Sequence, residues 1–227
     1  MNTLTSNPVA ALLDRLFDID ENASPATHPS MPQRWKDLSE EQQHAMVRSK
    51  TDYTELYHLM KDLPLSVSRE TGRLLYMLVR STRATTVVEF GTSFGLSTIC
   101  LAAGLRDNGG GRLITSEFEP SKVARAKAHL EEAGLAELVD FREGDALQTL
   151  STDIPDGVDL LLLDGAKPLY PDILALVEPR LRLGGLVVAD NADFNPEFLS
   201  YLRDPEHGYL TVPCGEDVEL SMRAHER

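Results

Sequence analysis

The sequence predicts an α/β protein with a doubly wound, mostly parallel sheet. From Ser68 onward, segments with helical periodicity alternate with short apolar segments, the order expected for right-handed β-α-β crossovers. Residues 158–163 are largely apolar, which is typical of a strand covered by helices on both faces of a parallel sheet. Two predicted strands stop at a carboxylate, and such sheets bind ligands at the carboxyl ends of their strands. We therefore predict a sheet domain over residues 61–227, preceded by a helical extension over residues 1–60.

Composition and charge narrow the class of partner. The chain has 227 residues, 42% of them hydrophobic, and contains no apolar run near the roughly 20 residues that span a bilayer. A net charge of −14 argues against a nucleic-acid partner, because phosphate backbones are bound by clustered Lys and Arg. The first residues lack a basic segment followed by an apolar one, and Cys100 and Cys214 lie far apart. We expect a cytoplasmic protein with a small-molecule partner and no membrane association.

The amino-terminal extension is predicted to be helical. In residues 8–18, apolar side chains recur at helical spacing after a proline. Residues 19–34 are rich in Pro, Ser, Asn and Asp and are predicted to form a loop. Ser39 with Gln42 then resembles a capping box. Residues 39–60 are predicted to form one or two helices. An amphipathic helix must cover an apolar surface, so the extension should pack on the sheet domain or on a second subunit, near the rim of the site.

The first half of the sheet domain follows from local patterns. Residues 69–80 are helical in period, and residues 86–90 are a β-branched strand that leads into the glycine turn 91–95 and a helix over 97–105. Residues 112–116 form the next strand. A helix begins at Pro120 and stops at Gly134, because proline suits a first helical turn and glycine suits a helix end. Residues 138–142 are the third strand.

The second half continues the alternation. After strand 158–163, residues 170–180 supply a crossover helix, and two glycines lead into strand 185–190. Residues 196–203 begin with proline and are predicted to be helical. Residues 209–213 and 218–223 flank a turn at residues 215–217 and are predicted to form an antiparallel hairpin at the sheet edge.

Polar residues follow two predicted strands at the points where those strands end. Asp164 and Lys167 come after strand 158–163, and Asp190 and Asn191 come at the end of strand 185–190. Two carboxylates and an amide form an all-oxygen set that suits a hard divalent cation. The alternative is that Asp164 caps a turn and that Lys167 is a solvated surface cation.

The turn after the first strand suits a ligand that approaches the backbone. Gly91 and Gly95 permit a sharp turn, and the following helix offers free amide hydrogens at its start. Neither a Gly-x-Gly-x-x-Gly motif nor a glycine-Lys-Ser/Thr phosphate loop is present, which disfavours dinucleotides and nucleoside triphosphates. Glu117, at the end of the second strand, can accept hydrogen bonds from ribose hydroxyls or can simply stabilise a helix start, as Glu119 can. Asp145 can meet an adenine edge or form a turn.

Five motifs in order resemble the cation-dependent class I O-methyltransferases, the family that includes the catechol and caffeoyl-coenzyme A enzymes. They are Val-Val-Glu-Phe-Gly-Thr-Ser-Phe-Gly-Leu-Ser from residue 87, Ser-Glu117, Asp-Gly-Ala-Lys from residue 164, Ala-Asp-Asn from residue 189 and the closing Val-Glu-Leu-Ser-Met-Arg. The resemblance covers roughly residues 62–227. It implies a seven-stranded, Rossmann-like methyltransferase sheet, S-adenosylmethionine and a divalent metal, usually magnesium, as cofactors, and a homodimer.

The resemblance also implies roles for individual residues. Lys167 is the expected general base, Glu117 the ribose acceptor, and Gly91, Ser93 and Ser97 lie where the family holds the methionine portion of the cofactor. The expected metal ligands are Asp164, Asp190 and Asn191. The expected cofactor-binding residues are Val67, Glu89, Gly91, Ser93, Ser97, Glu117, Gly144, Asp145, Ala146 and Asp164. The sequence departs from the caffeoyl-type members at Ala166 and from the mammalian catechol enzyme at Gly165 and Ala166, which leaves the subfamily and the acceptor open.

These expectations together predict a metal-dependent O-methyltransferase acting on a vicinal dihydroxy aromatic compound. A cation that chelates both acceptor oxygens would lower the pKa of the phenol, and Lys167, with its own pKa lowered by burial and by the cation, would take the proton. Two alternatives remain. One is a non-catalytic module that binds S-adenosylmethionine, and the other is a nicotinamide-dependent oxidoreductase on a similar sheet. Trp35 and Tyr53 are candidates for lining an acceptor pocket or for packing.

Overall fold

The computed structural model describes residues 2–23, 28–29, 31, 33–215 and 217–225. Parts of the predicted loop over residues 19–34, and Glu216 of the predicted hairpin turn, lie outside the described residues. The described part of the chain forms ten α-helices: α1 (Val9–Glu21), α2 (Gln33–Lys36), α3 (Glu40–Val47), α4 (Tyr53–Leu59), α5 (Arg69–Thr82), α6 (Leu96–Asp107), α7 (Pro120–Glu132), α8 (Ala146–Thr149), α9 (Tyr170–Val177) and α10 (Pro196–Arg203). Its strands are β1 (Thr86–Phe90), β2 (Arg112–Glu117), β3 (Val139–Glu143), β4 (Val158–Leu163), β5 (Leu181–Asp190), β6 (Tyr209–Cys214) and β7 (Val218–Arg223).

The seven strands form one sheet in the order β3-β2-β1-β4-β5-β7-β6. Strands β1 to β5 pair in parallel, whereas β7 is antiparallel to both β5 and β6. The predicted α/β class with a doubly wound, seven-stranded and mostly parallel sheet is confirmed, and so is the hairpin at its edge. The order in which strands are added to the sheet reverses between β1 and β4, which opens a crevice at their carboxyl ends.

Alternate residues of the central strands enter two separate cores, one on each face of the sheet. Val87 and Leu162 face a core with α1, α5, α6 and α7, whereas Val88 and Leu161 face a core with α8, α9 and α10. This arrangement explains the apolar runs, because a strand covered on both faces has no solvent side. Among the described residues, no helix is both long enough and apolar enough to cross a bilayer.

The amino-terminal helices divide between two places. Helix α1 packs its apolar stripe, which includes Leu12 and Phe17, into the larger core of the sheet. Of the two surfaces expected for the extension, the sheet domain or a second subunit, this helix covers the sheet domain. Helices α2 to α4 and the turn after them, residues 33–63, form what we call the cover. Its own small core contains Trp35, Leu56 and Leu63. The division of the chain at residue 60 stays a prediction.

Several element boundaries differ from the predicted ones for local reasons. Helix α1 continues to Glu21, so the following loop is shorter than predicted, and residues 39–60 form two helices. Strand β5 begins at Leu181 because that residue pairs with Val158, and the register shifts before Leu160. Helix α9 ends at Val177 and is followed by a single 3-10 turn. The short helix α8 was not predicted; the Asp145 side chain caps it by accepting from the Leu147 amide at 2.9 Å.

Candidate active site

A cavity of about 270 Å³ lies at the carboxyl ends of β1, β2 and β4, with α4 along one side. This edge is where the predicted ligand-binding residues were expected, because loops after parallel strands meet there. Seven of the predicted cofactor-binding residues line the cavity. They are Gly91, Ser93, Glu117, Gly144, Asp145, Ala146 and Asp164.

The turn after β1 is held tightly against the turn after β4. Gly91 has a φ of +104°, and a Cβ there would lie 2.6 Å from the backbone oxygen of Asp164. The Asp164 amide donates to the Phe90 carbonyl at 2.9 Å, and a Cβ on Gly165 would overlap the Phe90 ring. Both glycines therefore allow two loops to approach each other where the cavity begins.

Glu117 at the end of β2 is fixed by two backbone donors. Its carboxylate accepts from the Ser93 amide at 2.9 Å and from the Glu119 amide at 3.0 Å. The helix-start role falls to Glu119, which accepts from the Ser121 amide and hydroxyl. Burial raises the pKa of Glu119, but hydrogen bonds from His58 and Ser121 hold it below its ordinary value. Glu117 is thus free of the capping task and faces the cavity with a fixed orientation.

Three predicted cofactor-binding residues do not line the cavity: Val67, Glu89 and Ser97. Glu89 is fully buried and accepts from the hydroxyls of Ser97, Thr98 and Thr115 at 2.6 to 2.7 Å. Burial raises the pKa of Glu89, and the hydroxyl donors act in the opposite direction. Val67 belongs to the larger core. These side chains brace the glycine turn from below, and a direct contact with a cofactor stays a prediction for them.

The strand ends of β4 and β5 bring two carboxylates and an amine together. Lys167 Nζ lies 3.1 Å from an Asp164 oxygen and 3.8 Å from an Asp190 oxygen, and all three side chains are buried. Tyr170 OH donates to the Asp190 carbonyl at 2.8 Å and lies beneath the amine. The expected meeting of Asp164, Asp190 and Lys167 is therefore present in the folded chain.

The protonation of this group depends on burial and on its charged neighbours. Burial lowers the pKa of the Lys167 amine, but the charges of Tyr170, Asp164, Tyr57 and Asp190 raise it well above its ordinary value. The predicted lowering of the Lys167 pKa depended on a bound cation as well as on burial, so it stays a prediction, whereas the protein groups by themselves shift this pKa the other way. Burial, followed by the charge of Asp164, raises the pKa of Asp190 to about 8. Two carboxyls held side by side out of water resist ionising together.

The donor set fits a hard divalent cation by its chemistry. The carboxyls of Asp164 and Asp190 are buried and close together, so their ionised forms repel each other. A bound cation would relieve this repulsion. Asn191 follows directly in a left-handed conformation, with a φ of 47°, and its amide nitrogen donates to Asp217 at 3.1 Å. Among the described residues, no group of three or more His, Cys, Asp and Glu side chains is arranged to hold a metal. The predicted set contains two carboxylates and depends on an amide oxygen for its third ligand.

Tyr57 and Lys122 are among the residues that line the cavity but were not predicted from the sequence. Tyr57 lies one helical turn after Tyr53, which also lines the cavity, so the i to i+4 spacing of the tyrosines on α4 was the available signal. Burial raises the pKa of the Tyr57 phenol. Lys122 precedes Val123 on the buried face of α7, a position where lysine is rare. Trp35, the other aromatic candidate, is buried inside the cover.

Comparison with known proteins places this site in a family. The profile of the O-methyltransferase family matches residues 37–210. The catechol O-methyltransferase of Niastella koreensis is 36% identical over 130 residues, which cover 56% of this chain and 58% of that protein. Caffeoyl-CoA O-methyltransferase 2 of Petunia hybrida is 28% identical over 187 residues, which cover 70% of this chain and 76% of that protein.

A solved structure agrees in fold over most of the chain. The O-methyltransferase TomG from Streptomyces achromogenes, involved in tomaymycin synthesis and crystallised with S-adenosylmethionine, superimposes with a TM-score of 0.62 at 25% identity. The match covers 88% of this chain and 100% of TomG. The alignment with the Niastella protein spans less than two thirds of that protein's length, whereas the family profile spans well over half of this chain. This chain belongs to the O-methyltransferase family.

Proposed function

We propose that this protein transfers a methyl group from S-adenosylmethionine to one hydroxyl of a vicinal dihydroxy aromatic compound, with a divalent cation such as Mg²⁺. The observation that carries the proposal is the contact of Lys167 with both Asp164 and Asp190 at the edge of a cavity that Glu117 also lines. Membership of the O-methyltransferase family and the likeness to catechol and caffeoyl-CoA enzymes support it.

The donor would occupy the part of the cavity between the glycine turn and β2. Glu117 would accept hydrogen bonds from the ribose hydroxyls, since its carboxylate is already oriented by two amides. Gly144, Asp145 and Ala146 line the same cavity and would lie beside the adenine. TomG, which superimposes on this chain, was crystallised with S-adenosylmethionine, which supports the identity of the donor.

Asp164, Asp190 and Asn191 would hold the cation. A cation held by these residues would supply Lewis-acid polarisation and orientation of the reacting hydroxyl. Their carboxylates would supply two negative charges, so the set would neutralise a divalent ion.

Lys167 would take the proton from the reacting hydroxyl. A phenol with a pKa of about 10 is mostly protonated at neutral pH, so a nearby base is needed. Neutralisation of Asp164 and Asp190 by a cation would weaken the charges that hold the Lys167 pKa high, and burial would then favour the uncharged amine. The deprotonated acceptor oxygen then receives the methyl group, and the sulfonium sulfur keeps the electron pair of the broken bond.

The aromatic class of acceptor is supported by the walls of the cavity. Tyr53 and Tyr57 lie on the side formed by α4, and Phe90 lies beneath, so a planar ring would contact aromatic side chains. The net charge of −14 disfavours a strongly anionic acceptor such as a coenzyme A ester. A catechol without a charged extension is therefore the acceptor we propose.

The proposal is tested by assaying methyl transfer from labelled S-adenosylmethionine to catechol, with Mg²⁺ and with excess chelator. We expect methylated catechol with Mg²⁺, its loss with chelator, and its loss in Asp190→Asn, while the matched variant of the exposed Asp193, Asp193→Asn, stays active. Activity that survives the chelator would contradict the metal. Binding of S-adenosylhomocysteine without transfer to any catechol would favour the non-catalytic module. Thermal stabilisation by a nicotinamide cofactor alone would favour the oxidoreductase.

A further inference from the structure

Lys122 is a buried cation that the proposed function leaves without a task. Only 3% of the residue is exposed to solvent, yet it lines the cavity. Its Nζ donates to Ser93 Oγ at 3.2 Å and lies 5.8 Å from the centre of the Phe94 ring. The Lys122 amine therefore lies beside the glycine turn, where it contacts Ser93, the residue whose amide donates to Glu117.

The carboxylates around Lys122 act on its charge from a distance. Among the described residues, no carboxylate oxygen lies within the 4.0 Å of an ion pair from Lys122 Nζ. Burial lowers the pKa of its amine, although Glu117, Asp164 and Glu119 act in the opposite direction from farther away. An ammonium has three donor hydrogens, and the hydrogen bond to Ser93 uses one. A buried ammonium in this state is stabilised by an anionic group that enters the cavity.

The proposed donor carries one such group. S-adenosylmethionine has a sulfonium, an ammonium and neutral hydroxyls, and its α-carboxylate is its only anion. Glu117 is an acceptor and suits the ribose hydroxyls, whereas Lys122 is a donor and suits a carboxylate. Both residues contact Ser93, so one side of the cavity offers a carboxylate to the ribose and an ammonium to the neighbouring methionine portion of one ligand.

We propose that Lys122 binds the α-carboxylate of the methyl donor and thereby selects cofactors that keep this group. The inference rests on the proposed function, because it takes S-adenosylmethionine as the donor. Ser93 positions the Lys122 amine for this contact. Its hydroxyl accepts from the amine and donates to the Pro64 carbonyl, which anchors the amine at the turn.

The test compares two ligands across a small set of variants by titration calorimetry. The ligands are S-adenosylhomocysteine and its decarboxylated analogue, which differ by one carboxylate. The variants are Lys122→Met, Lys122→Arg and, as a matched control, Lys127→Met, which changes an exposed lysine on the same helix. Far-UV circular dichroism and thermal melting establish that each variant is folded.

We expect Lys122→Met to weaken S-adenosylhomocysteine binding by about 10- to 100-fold, the loss typical of a hydrogen bond to a charged group. The decarboxylated analogue should bind the Lys122→Met and wild-type proteins within about threefold of each other, so the preference between the two ligands disappears. Lys122→Arg should restore part of the preference, and Lys127→Met should keep all of it.

Other outcomes overturn the inference in distinguishable ways. Equal weakening of both ligands by Lys122→Met would mean that the lysine only supports the turn, and no weakening of either would mean that it does not contact the ligand. If Lys122→Met is unfolded, Lys122→Gln decides, because an unchanged preference in a variant without the charge contradicts the contact. Failure of the wild-type protein to bind S-adenosylhomocysteine would instead overturn the proposed function itself.

Discussion

The two sides of the cavity are built by different means. One side, which we call the strand-end wall, comprises Glu117 and Asp164, which line the cavity, together with Lys167 and Asp190, which are grouped with Asp164. The sheet holds these groups at the ends of three strands, where Lys167 pairs with the two aspartates out of water and Glu117 accepts from two backbone amides. The other side is the cover, whose α4 presents Tyr53 and Tyr57 to the same space.

The cover has a small core that is separate from the two cores of the sheet. Tyr53 and Tyr57 pack against the core with α8, α9 and α10, and polar side-chain pairs also join the cover to the rest of the chain. They link Lys50 to Asp172, Asp62 to Arg125 and His58 to Glu119 at 2.6 to 3.0 Å. The first two pairs are solvent-exposed, and such pairs stabilise by about 0 to 1 kcal/mol each. We therefore expect substitutions in the wall to affect the chemical step and substitutions in the cover to affect acceptor binding.

The largest loss of activity is expected from a substitution at Lys167 if the wall carries out the chemical step. We expect Lys167→Met to lower kcat by about 10²- to 10⁴-fold, the usual contribution of a positioned general base, with little change in S-adenosylhomocysteine affinity. Steady-state kinetics and calorimetry measure the two effects. Lys127→Met, which changes an exposed lysine of α7, is the control. An unchanged kcat in Lys167→Met would remove this residue from proton transfer.

A second prediction concerns the pH dependence of the wall. Burial and the charge of Asp164 raise the pKa of Asp190 to about 8, and a divalent cation binds the ionised form. Cation affinity should therefore rise by about tenfold for each pH unit below that value and level off above it, as calorimetry with Mg²⁺ or Mn²⁺ measures. An affinity that is flat between pH 6 and 8 would contradict the prediction.

The same shift has a consequence for stability with the opposite sign. Because the folded pKa of Asp190 lies above its unfolded value, the folded state binds the extra proton between about pH 4 and 8. In excess chelator this contribution to the free energy of unfolding is fully present below pH 4 and is lost as the pH rises through 8. Thermal melting should show the decline in wild-type protein and a smaller one in Asp190→Asn.

A substitution of Glu117 tests the part of the wall that is expected to bind the cofactor. We expect Glu117→Gln to weaken S-adenosylhomocysteine by about tenfold, because a neutral amide accepts ribose hydrogen bonds less strongly than a carboxylate does. Cation affinity should stay unchanged, which separates this end of the wall from Asp164 and Asp190. Glu143→Gln, at the end of neighbouring β3, is the exposed control. Equal cofactor affinity in wild type and Glu117→Gln would argue against a ribose contact.

The smallest effect is expected in the cover. Asp62→Asn removes one partner of an exposed ion pair with Arg125, so the loss of stability should be below about 1 kcal/mol. We expect KM for the catechol to rise by less than about fivefold while kcat is unchanged, since the variant loosens the cover without touching the wall. A large fall in kcat would mean that the cover takes part in the chemical step.

Much of this protein followed from local patterns in the sequence. Apolar runs predicted the strands, because a strand buried on both faces must be apolar along its whole length. Asp164, Lys167 and Asp190 were predicted to meet, because adjacent parallel strands end at one edge. Glycine at position 91 marked a close approach, and its φ of +104° and the nearby Asp164 backbone account for it.

Tertiary structure decided the features that depend on distant packing. Glu89 and Ser97 belong to the same motif as Gly91, yet Thr115 from the neighbouring strand draws the Glu89 carboxylate under the turn. Lys122 and Tyr57 face the cavity because α7 and α4 dock there, and no local period specifies that docking. Sequence by itself thus determined which chemical groups stand at the strand ends. Only the folded chain decided which of them share space and charge, because burial and electrostatic neighbours arise from contacts between residues far apart in sequence.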